Sequence, residues 1–377
     1  MANDLSQLLP RIMAQALPIL RSNSLAAKLV NTDFDNVPAA SGQSVNVRVP
    51  MDDDTTYAVQ PGKDPVAGDD LTPKTVAVTL NEWRRKGFTL TDKEVAEIGS
   101  GIVPMAMQTA VKALANYTNR AIYAAYKGVS QSAGVAGTNP FAGGTGPILD
   151  ARKILNASLA PVTERRVILD VEAEAKAFTL SDIARYDARG QGDIVTNGVI
   201  SRTYGMDWFM DQLAPVHTAG VPGGPVTTSA AATAGATSVS VSGLTATTGT
   251  YKQGDLVSFA GQSGTYAVAA DVTASGTGTA TITLAKPLAA AVASGAAVTQ
   301  TASHTSNLVF HRSAIAFASR PLAAVVSNPQ IFSVSDPQSG LTLRVEYTRQ
   351  NKQDLIDFDI LFGVKLVRPE LAVRLLG

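Results

Sequence analysis

Between Pro222 and Ser303 the chain carries four charged side chains, Lys252, Asp255, Asp271 and Lys286, and is otherwise built mainly of Gly, Ala, Ser, Thr and Val. Short alternating runs recur inside this stretch: Ser238–Ser242, Leu256–Phe259 and Thr279–Leu284. Alternation with Gly, Ser and Thr punctuation at short intervals specifies a small all-β module. Charge returns on both sides, so the block reads as a β domain inserted into a host. Such an insertion is tolerated where a surface loop brings its two ends together.

The host has its own order. The apolar positions Leu5, Leu8, Leu9, Ile12, Leu17 and Leu20 form a one-sided stripe broken by Pro10, Arg11 and Pro18. That is a helical arm, neither a secretion signal nor a membrane span, and a soluble cytosolic product is expected. Two period-2 runs follow, Ser44–Val49 and Thr75–Leu80, joined by a turn-rich acidic connection containing Asp52, Asp53, Asp54, Lys63, Asp69 and Asp70. A long hairpin whose tip has no core is functional or unstructured, and its edges need a partner. A neighbouring subunit is the economical one.

The spacing then predicts a long helix over 101–127. Val103, Met107, Val111, Leu114, Tyr117, Ala121 and Ala125 make one apolar stripe, and Gly128 stands where a helix C-terminus favours glycine. A Gly-rich loop leads to Pro147, well placed as the first residue of a helix to about Leu159. Arg166–Asp170 reads as a buried strand, with Asp170 as N-cap of a helix through Phe178. Ile200–Leu213 is strand and loop, with Trp208 and Phe209 packed. After the module three strands are expected, at Asn307–Ala318, Leu341–Thr348 and Asp357–Val367.

Recognisable catalytic chemistry is absent. Gly143-Gly-Thr-Gly146 lacks the lysine and spacing of a phosphate loop, and neither a Gly-x-Ser-x-Gly elbow nor a His-Glu-x-x-His pair occurs. His217, His304 and His311 read as junction or surface residues. Three adjacent aspartates do not have the alternate spacing of a calcium loop. The chain has no cysteine, and 31 basic residues balance 31 acidic ones. The balance gives no global electrostatic case for nucleic acid or anionic membrane as the main partner. Arg84-Arg85-Lys86 could touch nucleic acid or pair with an acidic tip such as Asp52–Asp54 of another subunit. No enzyme, cofactor or metal is expected.

The order of arm, hairpin, long helix, α/β domain, inserted β domain and returning strands resembles the major capsid protein of tailed bacteriophages, the Hong-Kong-97-type fold. The insert makes it most similar to Salmonella podovirus coat proteins. Three runs carry the resemblance: Tyr251–Gly261 around Gly254-Asp255, Asn307–Leu322, and Phe362-Gly-Val-Lys-Leu-Val-Arg-Pro-Glu370. One departure is a short insert without a long charged loop, so a two-fold contact through such a loop is not implied.

The resemblance implies an α+β architecture divided into an N-terminal arm (1–43), an extended hairpin loop (44–91), a peripheral domain with the spine helix (92–145), an axial domain (146–221), the inserted β domain (222–305) and an axial and peripheral return (306–377). It implies pentamers and hexamers assembling in the host bacterial cytoplasm into the icosahedral virion shell. Scaffolding and portal proteins would be partners, a decoration protein a further one, and packaged DNA would be touched only non-specifically. Asp52, Asp53, Asp54, Lys63, Arg84, Arg85 and Lys86 are the expected subunit-interface residues. The competing expectation is a surface adhesin that binds a ligand through the β module; a hydrolase with an accessory β domain ranks behind it.

Overall fold

The computed structural model describes residues 8–32, 44–48, 75–93, 102–180, 183, 200, 202–321, 331–336 and 339–377. Helix α1 (Leu8–Asn23) runs through Pro18, and a short helix α2 (Leu25–Leu29) follows. Pro18 is exposed, so water can take the carbonyl left without a donor. Ile12, Met13, Ala16 and Leu20 are buried, and α1 and α2 both pack on the long helix α3 (Ile102–Tyr123).

The buried face of α3 runs through Met107, Val111, Leu114, Thr118, Ile122 and Tyr123, leaving Tyr117, Ala121 and Ala125 half-buried. Two polar residues, Thr118 and Asn119, are buried with it. Thr118 returns its hydroxyl to the Leu114 carbonyl at 3.0 Å, while Asn119 accepts from Ala26 N and donates to Asn23 O at 2.8 Å. These bonds satisfy the polar atoms at the α1–α2 corner, so both residues can turn inward. The helix tightens into a 3-10 turn over Ala124–Gly128. Gly128 does not adopt the left-handed conformation of a helix stop; instead a Cβ there would sit 2.9 Å from Leu366. The glycine thus sits in close packing against the Leu366 side chain rather than in a left-handed cap.

Strands β1 (Ser44–Arg48) and β2 (Thr75–Thr79) pair antiparallel, Ser44 opposite Thr79. The charged segment after them is the start of a ten-residue strand, β3 (Glu82–Thr91). Beyond a two-residue strand β4 (Ser132–Ala133), helix α4 (Gly146–Ala157) starts with Pro147 in its first turn. Next come β5 (Arg165–Leu169) and α5 (Val171–Ala177). Asp170 caps α5, its carboxylate accepting from Glu172 N at 3.2 Å and Ala173 N at 3.3 Å. Strands β6 (Asp207–Met210) and β7 (Val216–His217) follow.

The charge-poor stretch supplies β8 (Val226–Thr228), β9 (Ser238–Ser242), β10 (Thr250–Tyr251), β11 (Leu256–Phe259), β12 (Tyr266–Ala267), β13 (Val272–Thr273), β14 (Thr279–Thr283) and β15 (Ala297–Gln300). Six form a sheet in the order β12-β11-β15-β8-β9-β14, with β10 paired to β13. A bridge between Val268 and Leu284, with Ala269 N donating to Thr283 O, joins the two ends of that sheet. The result is a small barrel with a separate core of Val239, Val241, Val257, Phe259, Tyr266 and Ile282. Ser and Thr occupy the outward positions, as opposite Ser240 and Thr281. Period-2 alternation thus fills the barrel and wets its outside without charge.

The chain returns through β16 (His304–His311), β17 (Ile315–Ser319), β18 (Ile331–Ser335), β19 (Thr342–Gln350), β20 (Gln353–Leu366) and β21 (Ala372–Leu376). The single strand expected over Asn307–Ala318 is therefore two. His311 accepts from Ser313 N at 3.2 Å and caps a 3-10 turn that ends β16, sending the chain into another sheet. One sheet runs β4-β21-β16-β5-β6; the other runs β17-β20-β19-β18, with β3 along β20. Both share one core that also takes in α1, α3, α4 and α5.

Candidate functional site

The three runs singled out for family resemblance fall on joints between these parts. In the first, Gly254 has φ +95, and a Cβ there would approach Lys127 at the end of the α3 turn. Asp255 beside it is fully buried. Its carboxylate accepts from His217 Nε2 and Gln300 Nε2 at 2.7 Å, from Lys252 N at 2.7 Å and from Gly220 N at 3.1 Å. On its other side His217 Nδ1 lies 2.9 Å from the Tyr126 hydroxyl. Arg374 of β21 completes the cluster. It donates to Gly254 O at 2.6 Å and Lys127 O at 3.1 Å, and lies over the Tyr126 ring. Burial pushes its pKa down to about 9, with Tyr126 and Asp255 opposing the shift, so it remains charged at neutral pH. One cation and one anion, both without access to water, hold the barrel to the end of α3. Ser130 and Ser132 add bonds to Ala267 N and Thr265 Oγ1.

The second run contributes Asn307, whose side chain accepts from Asp170 N at 2.6 Å, and His311 at the sheet-to-sheet turn. The third explains itself geometrically. Phe362 fills the core, Gly363 admits the Thr79 carbonyl of β2, and Pro369 starts a 3-10 turn pinned by Arg368 Nε to Glu370 at 2.8 Å. That turn carries the chain from β20 into β21.

All three histidines are buried, and none belongs to a group of ligands able to hold a metal among the described residues. Burial lowers the pKa of His311, helped by Arg165, Arg368 and Arg166 against Glu164. Burial lowers that of His304 as well. In the window below about 6.5, the unfolded imidazole value, the unfolded chain binds the proton and the folded chain does not. Stability therefore falls as pH drops through 6.5 and levels off below the folded pKa. His311→Asn can still cap the turn and should flatten the slope of unfolding free energy between pH 7 and 5. A slope equal to wild type in urea titrations would show that His311 titrates alike in both states.

Of the sequence-derived interface residues, Asp52, Asp53, Asp54 and Lys63 lie outside the described residues. Arg84, Arg85 and Lys86 are exposed on β3. Arg84 bonds Glu82 at 3.0 Å and lies 4.6 Å above the Tyr117 ring, whose hydroxyl also reaches Glu82 at 2.8 Å. Arg85 meets Asp357 at 3.1 Å. Beside them Trp83 is 60% exposed and donates to Asp359 at 3.2 Å. Sequence reading passed over Trp83; an exposed aromatic beside an arginine is a common core of protein interfaces. No helix among the described residues is long and apolar enough to cross a membrane.

No protein-family model matches the chain, and no curated protein does. Solved structures do. A chain from Mycobacterium phage Che8 is 15% identical, with 93% of this chain and 90% of that one covered at a TM-score of 0.51. A chain from the capsid structure of the cyanophage P-SCSP1u is 13% identical, with 92% and 86% covered at 0.49. A chain of the virus-like particle from Pyrococcus furiosus is 11% identical, with 97% and 98% covered at 0.42. Over nearly its whole length the chain therefore shares its fold with a chain of Mycobacterium phage Che8.

Proposed function

We propose that this chain is the major capsid protein of a tailed phage, a Hong-Kong-97-type subunit that assembles as pentamers and hexamers into an icosahedral shell around double-stranded DNA. The observation that carries this is the full-length fold shared with the Che8 phage chain. The family-like runs at the joints support it. On this reading α3 is the spine and the barrel is an inserted domain on the outer surface. Scaffolding and portal proteins are the assembly partners, and no chemistry is catalysed.

The hairpin would reach a neighbour. Along β20, Glu82 stands opposite Phe362, Thr79 touches Gly363, and Ala77 O receives Lys365 Nζ at 2.9 Å. Strand β2 thus prolongs the line of β3 past the end of β20, and Thr75 is its far end. The acidic connection joins β2 at Thr75, the end of that strand remote from Arg84–Lys86 in sequence. Its natural mate is the basic strand of the next copy. Many weak contacts of this kind add up in a closed symmetric particle.

Negative-stain microscopy of the purified chain, expressed alone and with its genomic neighbours, tests the proposal. Closed shells of uniform size, or sheets of hexameric rings, are expected. A monodisperse monomer under both conditions would overturn it in favour of a ligand-binding barrel.

A further inference from the structure

The link between α4 and β5 is built against local preference. Leu159 has φ +53 and Glu164 φ +51, a region where a side chain is strained and glycine is not. Leu159 is nevertheless 87% exposed, and Val162 is 68% exposed. The loop is clamped from beneath by Arg165, itself buried. Its guanidinium donates to Pro161 O at 2.7 Å, Ala160 O at 2.6 Å and Asn156 Oδ1 at 2.7 Å. The left-handed turn ends α4, with Leu159 N donating to Asn156 O at 3.1 Å and Ala160 N to Leu155 O at 3.0 Å, yet it leaves both aliphatic side chains in water. Two exposed aliphatic side chains held in one conformation are preorganised for a contact with another surface.

At the opposite end of the same strand lies a matching surface. Leu25, Leu169, Trp208, Phe209 and Met210 line an apolar groove of about 260 Å³, with the Glu174 carboxyl in its wall. Burial raises the pKa of Glu174, and it has no ion pair among the described residues. Arg152 and Lys153 stand on α4 about two turns before Leu159. An aliphatic knob backed by cations thus matches an apolar groove holding an unpaired carboxyl. Knob and groove are separated by the length of β5, about 13 Å at ~3.3 Å per residue, so they do not meet within one chain.

We propose, resting on the shell reading above, that Leu159 and Val162 of one copy seat in the Leu169–Trp208–Met210 groove of a second copy. The contact is head-to-tail, with each copy offering a knob at one end of β5 and a groove at the other. A contact of that class closes into rings when the rotation permits. Arg165 is the positioning residue that presents the knob.

The chain contains no cysteine, so paired cysteines can report the contact. Leu159→Cys combined with Met210→Cys cannot bridge within one copy, since a disulfide needs Cα atoms within about 7 Å. Mild oxidation of the double variant should give a ladder on non-reducing electrophoresis ending in a ring-sized band, with each single variant monomeric. If it stays monomeric while the wild-type chain forms shells, the knob and groove are overturned and the shell stands. A ladder from a chain that forms no shells would support the contact and overturn the shell. A second variant guards against misfolding. Leu159→Asn tolerates the left-handed backbone and should keep the monomer's melting temperature while slowing assembly about tenfold. Assembly of Leu159→Asn at the wild-type rate would overturn the proposal.

Discussion

Arg374→Ala is expected to cost about 3–5 kcal/mol and to uncouple the barrel from the host. Removing the guanidinium strips the Gly254 and Lys127 carbonyls of a charged donor, and each buried acceptor left unpaired costs about 1–3 kcal/mol. Arg374 is inaccessible to water, so those carbonyls could be resolvated only by opening the joint. Urea unfolding followed by limited proteolysis should show one transition becoming two, with a resistant barrel fragment at the lower denaturant concentration. A cost below about 1 kcal/mol for Arg374→Ala alone would mean that water replaces the guanidinium, and the joint would then be held by packing and the serine bonds.

Arg85→Glu with Lys86→Glu should reduce shell yield by about tenfold or more while leaving the monomer nearly as stable. Both side chains are exposed, and exposed ion pairs such as Arg85–Asp357 contribute roughly 1 kcal/mol or less. Arg84 is left in place because its bonds to Glu82 and Tyr117 belong to the subunit's own packing. Between subunits the arithmetic differs. The connection 49–74 carries Asp52, Asp53, Asp54, Asp64, Asp69 and Asp70 against Lys63 and Lys74, and the same small attraction repeats at every copy of the shell. A loss of about 1.4 kcal/mol per contact is already tenfold in its equilibrium constant. Reversing Asp52 and Asp53 to lysine in the same chain should restore assembly. At 1 M salt, where the screening length is about 3 Å, the wild type should behave like the variant. Shell yields indifferent to all three changes would remove charge from this interface.

Elements that declare themselves locally were legible in sequence. Ser44–Arg48, Thr75–Thr79 and Ser238–Ser242 follow a period of two with one face to be buried, Leu256–Phe259 is a short apolar run, and each is a strand. Pro147 and Asp170 mark helix starts through backbone geometry that needs no distant partner. Where the signal depended on something remote, it was misread or missed. Strand β21 is apolar at four of its five positions, with the buried Arg374 between them. The break between β16 and β17 depends on a histidine acting as a cap. Asn119 looks like a solvent-facing residue until the α1–α2 corner supplies its partners.

The candidate surfaces divide in the same way. Charge runs such as Asp52–Asp54 and Arg84–Lys86 are visible because like charges adjacent in sequence must be solvated or matched wherever the chain goes. Trp83, Leu159 and Met210 are single apolar residues in ordinary surroundings, and exposure is not a property of a residue's identity. The joint of Tyr126, His217, Asp255 and Arg374 draws on positions from 126 to 374, so no window of sequence contains it. Periodicity, capping and charge blocks are short-range physics and can be read from the amino acids in order. Burial, the partner of each charge and the ends of each strand are set by which distant segments share a core, and only the folded chain decides them.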